Sequence, residues 1–189
     1  MKKRLLCFTM LLTVTISAIT FTNNVKAATK WNTSKSVTKE ENGIKYSAYL
    51  TEDGKESWIY QIKLSKKITK LTLPKEINQA KLTRVGFGKE LYNKGEDEDA
   101  YQNLFGDTIE PWHNCYGDLS NDDKNKQTIQ TVAIPGTVNQ LEIATFSGMK
   151  KLKSVVIPEQ TASVPAYTFA KCSALSKVTF SKNMNEIDS

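Results

Sequence analysis

"IPGTVNQLEIATFSGMKKLKSVVIPEQTASVPAYTFAKCSALSKVTF", Ile134–Phe180, repeats its own pattern when it is displaced by 23 residues. Val132, Val155 and Val178 then coincide, as do Ile134, Ile157 and Phe180. Pro135 falls on Pro158, Leu141 on Val164 and then Ile187, Phe146 on Phe169, and Met149 on Cys172. Ile129, Leu152 and Leu175 complete the series. A unit this short cannot bury its own apolar face. Stacked copies can, each strand lying about 4.8 Å from the last. Side chains 23 apart are therefore predicted to share a buried column.

Working outward, the pattern L-x-x-V-x-I or a close variant occurs five times: Ile68–Leu73, Leu82–Phe87, Ile129–Ile134, Leu152–Ile157 and Leu175–Phe180. Its fourth and sixth residues are apolar, as a strand with one buried face requires. Proline follows at 74, 135 and 158, where its missing N–H ends the ladder and turns the chain. A shorter apolar step follows the regular strands at Leu141 and Val164. An aromatic turn comes next, pairing Phe146 with Met149 and Phe169 with Cys172 at i, i+3.

A period in the low twenties with this strand motif belongs to the leucine-rich-repeat class, a mainly β or α/β-type solenoid. "LKSVVIPEQTASVPAYTFAKCSAL" (Leu152–Leu175) resembles the BspA-like bacterial repeats in Pro158, Phe169, Cys172 and Leu175. Ala144-Thr145 and Tyr167-Thr168 stand where that family places alanine directly before phenylalanine. The resemblance covers 129–189 strongly and 68–87 in part. It implies an exported or cell-surface protein, and for some members a role in adhesion to matrix proteins or other cells; the function expected here is a non-enzymatic binding module. No cofactor is implied.

Residues 1–27 read as an export signal: a basic start (Lys2, Lys3, Arg4), an apolar middle, and Val25-Lys26-Ala27 as a small-residue exit. The leader also accounts for the charge. The chain is +6, but the leader holds four of the 26 Lys/Arg and none of the 20 Asp/Glu, leaving +2 on the other 162 residues. So weak a balance gives no reason to expect a nucleic-acid partner, and no second apolar span follows. Residues 28–43 read as a polar lead-in. In 44–67, Ile44–Leu50 and Trp58–Leu64 flank an Asp53-Gly54 turn and are predicted to form a hairpin capping the array.

The rhythm breaks in the insertion 88–128, whose ten Asp/Glu against four Lys give −6. Its aromatics Tyr101, Phe105, Trp112 and Tyr116 are candidate partner contacts on a loop held by a rigid frame. Equally, Tyr101 and Leu104 at i, i+3 are consistent with a distorted repeat turn. Asp118, Asn121, Asp122, Asp123 and Asn125 offer oxygens for Ca²⁺ but lack the glycine and distal glutamate of an EF-hand. The single histidine, His113, lies two residues from Cys115, but no third orienting group is identifiable, so no catalytic residue is assigned. Cys172 in the Met149 slot reads as a buried filler; a bridge to Cys115 is the alternative in an exported chain.

Residues between the buried strand positions point outward and form a second candidate surface: Lys70, Thr72, Arg84, Thr131, Ser154, Val156, Lys177 and Thr179. The expected partner is a protein or a surface glycan. The alternative is a structural spacer within a longer surface protein. Residues 175–189 supply only the start of a copy, which suggests a longer array.

Overall fold

The computed structural model describes residues 29–88, 101–102, 108–109 and 125–188. The first strands are β1 (Val37–Glu41), β2 (Ile44–Leu50), β3 (Glu56–Leu64), β4 (Lys70–Thr72), β5 (Glu76–Ile77), β6 (Ala80–Val85), β7 (Tyr101–Gln102) and β8 (Thr108–Ile109). A 3₁₀ turn at Lys126–Thr128 precedes β9 (Thr131–Ala133), β10 (Gln140–Leu141), β11 (Ser154–Val156), β12 (Ser163–Val164), β13 (Lys177–Thr179) and β14 (Glu186–Ile187). No α-helix occurs among the described residues.

Strands β4, β9, β11 and β13 form one parallel sheet in that order. Leu71 faces Val132, Val132 faces Val155, and Val155 faces Val178. The 23-residue displacement is thus one step across the sheet. The short steps stack on another wall, where β10 runs parallel to β6 and Val164 in β12 faces Ile187 in β14. Leu71, Val132, Val155, Leu141, Val164, Ile129 and Leu152 close the core between these walls.

Polar groups repeat with the same period. Thr161 Oγ1 donates to Val138 O at 2.8 Å and Ser147 Oγ to Ala170 O at 3.1 Å. Phe146 N donates to Thr168 O and Gly148 N to Ala170 O. These bonds pair turn hydroxyls, amides and carbonyls that would otherwise lack partners on folding. Two positions per turn lie in the left-handed region: Ala144 (φ 59°) with its equivalent Tyr167 (57°), and Gly148 (77°) with Lys171 (58°). The turn geometry is thus imposed on non-glycine side chains by the copies around it.

At the N-terminal end, β1, β2 and β3 form an antiparallel meander, and β3 continues as the parallel neighbour of β6. The polar lead-in is therefore not structureless throughout. Val37–Glu41 alternates half-buried and exposed residues, and Val37 packs on the core. Trp31 also bridges to Thr51.

A larger correction concerns Leu82–Phe87, which is not a rung of the four-strand sheet. Its strand, β6, lies between β3 and β10 in the other wall, and Arg84 is 4% exposed rather than outward-facing. The reason is length. Leu82 follows Ile68 by 14 residues, too few for a full circuit of a 23-residue unit. The chain turns through β5, which pairs antiparallel with β6, and arrives one wall further on. Val85 faces Leu141, so this stretch is the short step of the first unit. Because β4 pairs directly with β9, the insertion is an excursion within a single turn of the solenoid.

Tyr46 is fully buried and its hydroxyl donates to Thr72 O at 3.2 Å, tying the meander to the first rung. Burial, and then the Glu41 carboxylate, pushes its pKa up to about 12 from 10.0. A phenol whose pKa is raised on folding stabilises fully below its unfolded pKa and loses that contribution as pH rises through the folded one. The wild type is therefore expected to lose stability relative to Tyr46→Phe between pH 10 and 12. Below pH 10 the variant should be weaker by about 0.5–1.5 kcal/mol from the missing hydrogen bond. Chemical denaturation of both proteins across that range tests the slope; parallel pH curves would refute it.

Candidate binding surface

The outward side chains of the four-strand sheet form two in-register rows. One is Lys70, Thr131, Ser154 and Lys177; the other is Thr72, Ala133, Val156 and Thr179. Parallel pairing fixes each row, because side chains at matched positions emerge on the same face. With strands about 4.8 Å apart, four rungs span roughly 14 Å. Lysines mark both ends of the first row, and small residues fill the middle. Val156 is 59% exposed, an apolar spot on an otherwise polar strip. Seven of the eight predicted ladder residues thus share one surface, and Arg84 does not.

Arg84 instead anchors the junction between meander and array. Its Nε donates to Glu142 Oε1 at 2.7 Å, and its guanidinium carbon lies 3.7 Å from the Trp58 ring centroid. Trp58 Nε1 donates to Gly86 O at 2.7 Å. Gly86, at φ 114°, leaves no room for a side chain: a Cβ there would strike Thr145 Oγ1 and come within 2.6 Å of Glu142 Cβ. Glycine is required by both the backbone conformation and the close approach.

Beside the first rung, a cleft of about 390 Å³ separates β4 from the β1–β2 turn. Ile44, Tyr46, Ile68, Leu73 and Pro74 give it apolar walls, and Glu41, Asn42, Lys66, Lys70 and Thr72 supply polar groups. Two of the predicted ladder residues, Lys70 and Thr72, line it. The cleft was not predicted from sequence, because it arises where the meander meets an edge of the array.

Among the insertion candidates, Tyr101 lies in β7, which pairs antiparallel with β8 through Tyr101↔Ile109. Leu104, the other half of the expected i, i+3 turn, lies outside the described residues. Phe105, Trp112 and Tyr116 lie outside the described residues, as do His113, Cys115 and the Ca²⁺ candidates Asp118, Asn121, Asp122 and Asp123. Asn125 is described, and its Nδ2 donates to Leu64 O at 3.0 Å. Cys172 is a free, buried thiol, as its slot implied; it donates to Phe146 O at 3.2 Å, and burial pushes its pKa up to about 11. Lys126 occupies the slot of Met149 and Cys172. It is fully buried, and burial, followed by the charge of Lys150, lowers its pKa to about 8.

No metal-holding cluster of His, Cys, Asp or Glu occurs among the described residues. No helix among them is long and apolar enough to cross a membrane.

Parallel rungs joined through short steps and turns at a 23-residue period define a leucine-rich-repeat solenoid. Residues 124–189 match the family described as "BspA type Leucine rich repeat region (6 copies)", so this stretch is a repeat of that type. No curated protein and no solved structure matches the chain.

Proposed function

We propose that this chain is an exported, non-enzymatic protein-binding module whose partner docks across the outward face of β4, β9, β11 and β13. Membership of a repeat family built for presenting surfaces supports a binding role. The observation that carries the reading is the outward-facing double row, with Val156 at 59% exposure among smaller neighbours that are half-buried on β9 and β11. Apolar anchors within a polar rim dominate protein interfaces. A matrix or cell-surface protein suits such a strip, and a surface glycan is the lesser candidate.

The test is binding of the purified chain to a panel of matrix proteins and surface glycans, repeated with Val156→Glu. A charge at the centre of the face is expected to weaken binding of the protein partner about tenfold or more, with the melting temperature nearly unchanged. A partner that binds both proteins equally does not use this face, and failure of the whole panel to bind would count against the adhesive role.

A further inference from the structure

The four-strand sheet ends at β4, which has β9 on one side and no strand on the other among the described residues. Its pairing shows which backbone groups are used. Thr69 O accepts from Thr131 N at 3.2 Å, and Leu73 N donates to Ala133 O at 3.0 Å. In a parallel strand, successive residues turn their peptide groups to opposite sides. Thr69, Leu71 and Leu73 therefore address β9, while Lys70 and Thr72 address the free edge. The free edge lies along the cleft, whose lining includes both residues. Tyr46 caps Thr72 O, which leaves the N–H and C=O of Lys70 and the N–H of Thr72 aimed at the cleft.

We propose that the cleft takes an extended peptide segment carrying carboxylates, added as a further strand against β4. Strand addition draws its affinity from main-chain hydrogen bonds and its selectivity from the side-chain pockets beside them. The main-chain donors and acceptor are those of Lys70 and Thr72. Selectivity comes from charge: Lys66 and Lys70 line the cleft against one carboxylate, Glu41. An acidic strand meets two ammonium groups, while a basic one meets like charge. Ile44, Ile68 and Pro74 supply an apolar floor for the alternate side chains, which suits a segment alternating acidic and branched residues. The volume lies at the small end of the roughly 300–1,000 Å³ typical of ligand sites, fitting a few peptide units rather than a folded domain. Unpaired strand edges are usually blunted by charge, proline or a covering loop. Here the edge has lysines, yet a walled groove keeps it open. The site shares Lys70 and Thr72 with one end of the outward ladder face but uses the main-chain edge of β4, away from Val156 at the centre of that face, so either reading can fail without the other.

The test titrates the isotope-labelled full chain with acetyl-Thr-Glu-Val-Glu-Val-Thr-amide and follows backbone amide shifts. The expected shifts concentrate at Lys70 and Thr72. A probe N-methylated at alternate amides is expected to bind about tenfold more weakly, and the same probe with Lys in place of Glu about tenfold more weakly again. Lys70→Pro removes an outward N–H, which an edge strand tolerates, together with one of the two ammonium groups; it should abolish the shift pattern around Thr72. Lys66→Glu should weaken binding about tenfold and needs no backbone change. Val156→Glu should leave probe binding intact. Absent shifts, shifts elsewhere, or an N-methylated probe that binds equally well would overturn the proposal. Concentration-dependent shifts at Lys70 without probe would also overturn it, by giving the edge to a second copy of the chain.

Discussion

Alanine in place of Arg84 is expected to cost the folded chain about 3–5 kcal/mol, the range for removing one partner of a buried ion pair. The side chain joins three strands at once. It stands on β6, its guanidinium lies 3.7 Å over the Trp58 ring on β3, and its Nε bonds Glu142 Oε1 just past β10. The Glu142 side chain is 12% exposed, so water cannot readily replace the guanidinium. Truncation also leaves the Trp58 ring without its cation, a further contribution of order 1–2 kcal/mol when desolvated. Lysine restores charge but neither the planar stack nor the directed Nε hydrogen bond, so Arg84→Lys should recover only part of the loss. Joint replacement by Met at 84 and Leu at 142 should come much closer to wild type, because it removes both charges from the interior. Urea unfolding of the four proteins measures this. A loss below about 1 kcal/mol for Arg84→Ala would show the pair to be effectively solvated.

The array was legible because its period is a packing distance. Val132, Val155 and Val178 had to share an environment once each copy formed the floor of the next, and no long-range information beyond 23 was needed. The first unit was not legible in the same way. Leu82–Phe87 carries the strand motif, yet its apolar Leu82 and Val85 are buried in the other wall just as the apolar rung residues are in the four-strand sheet, so the motif alone does not say which wall it joins. Only the 14-residue spacing from Ile68 distinguishes the two, by ruling out a full circuit. Arg84 followed the same error: an outward position in one sheet is, in the other, covered by Trp58, Trp31 and Glu142. In β1, alternation between half-buried and exposed residues is carried by Val37, Lys39 and Glu41. A single apolar residue among charged ones leaves almost no hydrophobic period to read. The cleft was invisible for a different reason. It belongs to neither the meander nor the array, and exists only because Tyr46 fixes one against the edge of the other.

Phe146→Ala is the sharpest test of the stacking itself and is expected to destabilise the chain by about 3–5 kcal/mol. Phe146 is fully buried and its ring stacks on Phe169 with centroids 6.0 Å apart and planes 13° from parallel. Its carbonyl accepts from the Cys172 thiol, and its amide donates to Thr168 O. All these partners lie in the next copy, so truncation acts on the interface between units as well as on one core. In a solenoid, stability is approximately a sum of unit and nearest-neighbour contributions. The loss should therefore be directional. Amides from Val164 to Ile187 should lose exchange protection first, while those of the meander, held by Tyr46 and Trp58, should keep theirs. Phe180→Ala supplies the contrast, since Phe180 is 42% exposed on the last rung and its removal should cost less than about 1 kcal/mol. Hydrogen exchange resolved by residue, together with denaturant unfolding, reads both size and direction. Uniform loss of protection along the chain would mean that the units fold as one indivisible body. Equal costs at 146 and 180 would mean that the aromatic column contributes nothing to holding one copy on the next.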